Sequence, residues 1–440
     1  KEGKEMFLRS GDGENRTGDY EPAFFIIRIN SDDPIGDGIS GRLLGTFIHE
    51  YIHFLQDLLL PYCMRENLVV LSKFFDQRNK FISLGEIRLP DNDIIEGEFL
   101  TKLQTEFTWG GNGFVESVST VTAIKCLNQY IAKHGFRLFK YTVDFDSSAD
   151  YHFGARDLLE YIAYKIESKH FPNDLVLPDL PYKALDFIID HHELSFLSET
   201  KRVALAEYCL FNDNPVHRLA VVIDDYKRGL SINRWHGDDD DFIKFLENLT
   251  WIAAGRPFET IDQKLDRRLN ELLELLAERF PEVSFQTINN WLTQTIQYVR
   301  TNLAGVGLFA KLYQMETGEF KMAFSSIINE IGIPLIINRN DEFGTSLGNE
   351  ETKNEFIQLL LAYEFSDYLK RSDQTCPMYS NCERDRPEIM EEDVCMNAPF
   401  RKASRDDLCP FGAFIKAHQL DTINWYVNGT LIPSQGSDWP

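Results

Sequence analysis

GTFIHEYIHFLQD, residues 45–57, sets His49 and His53 four positions apart, with Glu50 directly after the first histidine. On a helix that separation puts both imidazoles on one face, one turn apart, where they reach a single metal ion. Glu50 beside them is placed to take a proton from a water that the ion acidifies. Around these residues Leu43, Leu44, Phe47, Ile48, Tyr51, Ile52, Phe54 and Leu55 are apolar nearly all round, which predicts a buried helix over Arg42–Leu60. Thr46, His49, Glu50, His53, Gln56 and Asp57 gather mostly on one stripe. Two imidazoles and a carboxylate inside such a helix are costly unless a metal satisfies them. The alternative is a pair of core histidines bonded to carbonyls, with Glu50 in an ion pair.

A catalytic zinc takes three protein ligands and keeps one position open for water. No third histidine follows at a short spacing, so a glutamate from a later helix is expected. GARDLLEYIAYKIE (154–167) offers Glu160, with the small Ala163 three residues on, which lets this helix pack closely on the zinc helix. GNGFVESVS offers Glu116 with Ser119 in the same relation, on a segment richer in β-branched residues.

HEYIHFLQD with a later ExxA helix resembles the gluzincin branch of the zincin metallopeptidases. More narrowly, it resembles bacterial HExxH proteins in which an HEY-type zinc helix is followed by a Gly-x-x-x-x-x-Glu-x-x-Ala helix and a Pro-Tyr-Lys-Ala segment. Here those are Gly154–Ala163 and PYKALDFI from Pro181, with ALAEYCLFNDNP following from Ala204. The resemblance covers roughly residues 20–230. It implies His49 and His53 as ligands, Glu160 as third ligand and Glu50 as general base. It also implies a zincin fold, with a small sheet packed on the active-site helix. The interval from His53 to Glu160 is longer than the usual gluzincin gap, which keeps Glu116 open as the alternative.

The chemistry expected is hydrolysis of a peptide bond in a peptide or protein, with Glu50 taking a proton from water and returning it to the leaving amine. A donor for the developing oxyanion is needed, and His152, Tyr151 and Tyr161 lie near the third ligand in sequence. Asp57, one turn on, is a candidate to orient His53, and His152 is a candidate for the same supporting shell.

The rest of the chain bounds this reading. Its 440 residues, 43% hydrophobic and 26% charged, are enough for a large core. A formal net charge of −24 repels polyanions, so nucleic acid and anionic membrane are not expected partners. No apolar run is long enough to span a bilayer and no signal pattern opens the chain, so a cytoplasmic location is expected. Residues 1–20 read as a flexible lead-in, 21–235 as the zincin-like domain, 236–340 as a helical region and 341–440 as a C-terminal region. Strands are predicted at Ala23–Ile29, LGEIRLP and FRLFKYTVDF. Val115–His134 reads as helix in its second half. Helices dominate from Gly154, including Asp241–Ala254, an amphipathic stripe of Ile261, Leu265, Leu269, Leu272 and Leu276, and Thr287–Tyr313. INRNDEFGTSLGNEET reads as an internal loop or boundary. The fold class is therefore α+β, mostly helical.

Four of the seven cysteines, Cys376, Cys382, Cys395 and Cys409, fall in one polar, proline-containing stretch. Four thiolates suit a second, structural zinc that staples a segment too polar to build its own core, with reduced unligated thiols the competing reading. GDDDDF (237–242) lacks EF-hand spacing and reads as acids opening a helix. A zinc hydrolase for another amide or ester, or a scaffold with a latent zinc site, remains the alternative to a peptidase. Retention of Glu50 separates them, because a structural site has no use for it. The large helical remainder is the place for a regulatory protein partner.

Overall fold

The computed structural model describes residues 8–9, 18–32, 41–91, 99–111, 113–132, 135–172, 177–249, 260–279, 286–302, 307–345, 350–371, 374–404 and 409–432. In chain order these form β1 (Leu8–Arg9), β2 (Gly18–Glu21), β3 (Ile26–Ile29), α1 (Gly41–Leu59), α2 (Pro61–Leu84), β4 (Glu86–Leu89), α3 (Phe99–Thr108), β5 (Val121–Ile131), β6 (Phe136–Phe145), β7 (Tyr151–Phe153) and α4 (Ala155–His170). Helices α5 (Ala184–His191), α6 (Glu199–Leu210), α7 (Pro215–Lys227), α8 (Ile232–Trp235), α9 (Asp239–Glu247), α10 (Ile261–Arg279), α11 (Gln286–Asn302), α12 (Leu308–Gln314) and α13 (Thr317–Ile331) follow. The chain closes with β8 (Leu335–Asn338), β9 (Phe343–Gly344), α14 (Glu350–Lys370), α15 (Tyr379–Asp385), α16 (Glu392–Asn397), α17 (Pro410–Ala417), β10 (Asn424–Val427) and β11 (Thr430–Ile432). The fold is α+β and mostly helical, as the sequence predicts. No helix among the described residues is long and apolar enough to cross a membrane.

A five-stranded sheet in the order β1-β2-β3-β8-β9 is mixed, because β3 pairs parallel with β8 and its other neighbours run antiparallel. Strands β2 and β3 pack on α1. The helix is buried on every side, which is what its apolar circumference demands. Phe54 stacks on Trp291 of α11 with ring centroids 5.7 Å apart, Tyr51 meets Phe324 of α13, and the polar stripe faces α4. At Leu60 the chain turns directly into α2, whose first residue, Pro61, has no amide hydrogen to leave unpaired and a φ suited to a helix start.

Some sequence expectations differ from the structure. The second half of Val115–His134 is strand β5 rather than helix, because its Val, Thr and Ile residues pair along their length with β6 across a turn closed by Gly135 at φ 70°. The lead-in contains β1 and the start of β2, the latter against α1. INRNDEFGTSLGNEET holds the end of β8, a turn and β9, so part of this loop candidate belongs to the sheet under α1; residues 346–349 lie outside the described residues. Of Asp241–Ala254, the helix ends at Glu247, and residues 250–259 lie outside the described residues.

Strands from distant parts of the sequence share sheets. β3 lies beside β8, and β4 pairs parallel with β10, Glu86 opposite Asn424. The stripe on α10 is buried at Ile261, Leu265, Leu269 and Leu272, and the helix packs on α2, while the side chain of Leu276 lies outside the described residues. In the acidic run Asp238 caps α9 by accepting from the Asp241 amide, a helix-opening role.

Candidate metal centre

Helix α4 is fixed by backbone contacts at its first turn. Gly154 precedes it, and a Cβ there would stand 2.2 Å from the Gly110 nitrogen, so only glycine lets the two backbone segments cross. The Arg156 amide donates to Trp109 O at 2.8 Å, and Asp157 accepts from the Gly154 amide at 2.7 Å. This anchor places Glu160 one turn further along, against α1. Ala163, fully buried on the same face, offers no bulk against the crossing.

His49 Nε2 and His53 Nε2 stand 3.1 Å apart, and Glu160 Oε2 lies 3.3 Å from the first and 3.5 Å from the second. Each imidazole uses its other nitrogen on a buried acceptor. His49 Nδ1 is 2.9 Å from Glu167 Oε2, and His53 Nδ1 is 2.8 Å from Gln56 Oε1. Gln56 in turn donates from Nε2 to the Leu159 carbonyl at 3.1 Å, tying α1 to α4 beside Glu160. With both Nδ1 atoms donating to these acceptors, two Nε2 lone pairs and a carboxylate oxygen converge on one point. Such lone pairs repel at this distance unless a proton or a metal ion lies between them. The donor set therefore fits a metal ion, and the three donor atoms all lie within 4.8 Å of one another.

The acidic surroundings favour positive charge at this point, whether a proton or a metal ion. Burial alone would lower the pKa of His49, but hydrogen bonds with Glu160 and Glu167 and the charges of Glu167 and Glu50 push it well above the ordinary histidine value. Burial would raise Glu160, yet the hydrogen bonds and charges of His49 and His53 hold it well below the usual carboxylate range. Glu50 is pushed well up, by burial first and by the charges of Asp19, Glu160 and Glu167, against the pull of His49. Thus Glu160, rather than Glu50, is the carboxylate turned to the imidazole nitrogens.

Of the two candidates for third donor, the structure brings Glu160 to the histidines and leaves Glu116 exposed on a loop, where its carbonyl accepts from the Asp179 amide. Asp57 does not orient His53. It accepts from Tyr20 Oη at 2.7 Å and the Ala23 amide at 3.1 Å, because one helix step rotates it about 100° from Gln56, which takes the role. Asp57 also lines a cavity of ≈ 20 Å³ with His53, Asn67 and Trp109, whose Nε1 has no hydrogen-bond partner among the described residues. His152 lies in β7, its Nε2 3.3 Å from the Phe107 carbonyl, and is not joined to the ligands. Tyr151 donates to Asp157, and Tyr161 donates to Asp186 at 2.8 Å, so neither faces the donor set.

Four residues that support the site do not stand out in the sequence. Gln56 was legible only as one of the polar stripe, and Glu167 as the acid seven residues, two turns, beyond Glu160. Gly45 gives Glu167 its space, since a Cβ there would be 3.3 Å from Glu167 Oε1. Tyr182, from the PYKA segment, sets its ring edge-on to His49 at 6.2 Å, and burial with the charges of Glu160 and Glu50 keeps its phenol protonated.

The four C-terminal cysteines are all buried, and none is in a disulfide. They do not form a set of donors within 4.8 Å; among the described residues His49, His53 and Glu160 do. No family model, no curated protein and no solved structure matches the chain.

Proposed function

We propose that the chain is a zinc-dependent metallopeptidase of the zincin type, hydrolysing a peptide bond in a protein substrate. In this reading His49, His53 and Glu160 hold the ion and Glu50 is the general base. The observation that carries it is Glu50 itself. It is 2% exposed, adjoins the three-donor set, and makes no hydrogen bond or ion pair with any described residue. A buried carboxylate left uncommitted is expensive to keep, and a purely structural ion would not need one. A zinc ion held by three protein ligands supplies Lewis acidity and lowers the pKa of a water in its open position to about 7.

The chain's own groups then divide the work. Glu167 and Gln56 hold the imidazoles in the tautomer that presents Nε2. Glu50 accepts a proton from water and passes it to the leaving amine, while Tyr182, whose ring stands edge-on to His49, is the candidate donor for an oxyanion. The β2 backbone lies against Glu50, since a Cβ on Gly18 would be 3.2 Å from Glu50 Cγ. With His49, His53 and Glu160 only 5%, 1% and 1% exposed, a protein substrate is admitted by movement of the covering elements, which suits control by a partner.

The test is cleavage of a denatured-protein peptide library by the wild type and Glu50→Gln, with zinc content measured in both. The expected result is equal zinc and a fall in cleavage of roughly 10²–10⁴-fold in the variant. Equal cleavage by both proteins would overturn the reading.

A further inference from the structure

Cys376 precedes α15, Cys382 lies within it, Cys395 lies in α16, and Cys409 caps α17. These helices have seven, six and eight residues, too short to hold themselves in water. The segment around them, CPMYSNCERDRPEIMEEDVC, is dominated by polar and charged residues. Yet all four thiols are buried, at 8%, 9%, 7% and 6% exposure. Burial first, and then the charges of Cys409, Cys395 and Cys382, push the Cys376 thiol up, so the four lie in one neighbourhood, although no three of their sulfurs stand within 4.8 Å of one another. The Cys376 amide also donates to the Cys395 carbonyl at 2.8 Å, closing two of the loops on each other.

Two of the sulfurs receive backbone donors. The Met378 amide points at Cys376 Sγ at 3.4 Å, and the Gly412 amide points at Cys409 Sγ at 3.3 Å. Amide dipoles aimed at sulfur favour the thiolate, the form that ligates metal, and so oppose the burial that pushes both thiols up. Lys402, 2% exposed, adds positive charge beside Cys409. A packed apolar core has no need of these features.

We propose that Cys376, Cys382, Cys395 and Cys409 form a second metal site, a closed tetrathiolate that binds one zinc ion and folds the segment around it. Zinc–sulfur bonds of about 2.3 Å in a tetrahedron draw sulfurs to about 3.8 Å of one another, a closer set than the thiols make by themselves. The staple has a structural consequence. Arg384 of α15 donates to the Asn340 carbonyl at 2.7 Å and the Asp341 carbonyl at 3.0 Å, and Asn381 donates to Asp341 O as well. Those carbonyls form the turn between β8 and β9, so the cysteine segment buttresses the sheet on which α1 rests.

The experiment uses the full chain carrying His49→Ala and His53→Ala, which isolates this site from the His–His–Glu centre. Zinc is measured by elemental mass spectrometry, released by titration with a mercurial, and replaced by cobalt. The expected result is one zinc per chain, freed as four thiols react, and an intense sulfur-to-cobalt charge-transfer band in the near ultraviolet. Cys382→Ser with Cys395→Ser should lose that zinc; if this variant does not fold, the mercurial titration carries the test. No zinc in the double-histidine protein under metal-replete conditions would overturn the site. Iron and sulfide with visible absorption would overturn zinc as its occupant.

Discussion

The two cysteine- and histidine-bearing regions are built in opposite ways. His49 and His53 ride on a 19-residue helix and Glu160 on one of 16 residues, both packed in the main core, and their donor atoms meet without an ion. The four cysteines sit on or beside three helices of at most eight residues and do not close to the same distance. Long buried elements hold donors in place, so a metal would bind a finished site. Short polar ones leave the last approach to the ion, so metal completes the fold.

The largest expected effect breaks this contrast if it is wrong. On removal of zinc by a strong chelator, amide exchange in residues 374–417 should accelerate by ~10³-fold or more, as local folding free energy of several kcal/mol is lost. Amides of α1 and α4 should keep their protection, and equal loss in both regions would erase the distinction.

Next comes the backbone crossing that makes the histidine site rigid. A Cβ at Gly154 would meet Gly110 N at 2.2 Å and Trp109 C at 2.3 Å, both backbone atoms that cannot step aside. Gly154→Ala should cost about 3 kcal/mol in denaturant unfolding, and should weaken zinc binding as Glu160 shifts.

A titration touches neither metal region and provides the control. Burial pushes Glu207 of α6 from 4.5 up to about 7, against the Gly307, Phe309 and Ala310 amides and the charge of Lys311. The folded chain therefore keeps this proton to higher pH than the unfolded one, and stability falls as pH rises between those values. The loss is on the order of 3 kcal/mol, and Glu207→Gln should flatten it in thermal melts across that range.

The smallest effect sharpens the comparison at the ligands. Glu167→Ala leaves His49 Nδ1 without its acceptor, and should weaken zinc affinity ~10–100-fold in competition with a chromophoric chelator. Glu167→Gln keeps a carbonyl acceptor there and should lose less.

Local spacing made part of this legible in the sequence. The i, i+4 histidines and the small residue three after Glu160 are helix-face statements, and the structure returns the first as a contact and the second as a fully buried side chain. Gln56 displaced Asp57 because adjacent residues point about 100° apart, a difference that depends on where α4 lies. Strand β5 was unreadable for a related reason, since its state follows from pairing with β6. The parallel pairings of β3 with β8 and β4 with β10 join residues some three hundred positions apart, and no local pattern encodes such neighbours.

The most direct test of the histidine centre is the zinc content of purified, metal-replete wild-type protein beside His49→Ala/His53→Ala, with the remaining ion's ligands read by X-ray absorption. The account predicts a loss of one zinc per chain, with a shell of two imidazole nitrogens and carboxylate oxygen disappearing from the wild-type spectrum. Equal zinc content, or a wild-type spectrum without imidazole, would contradict it.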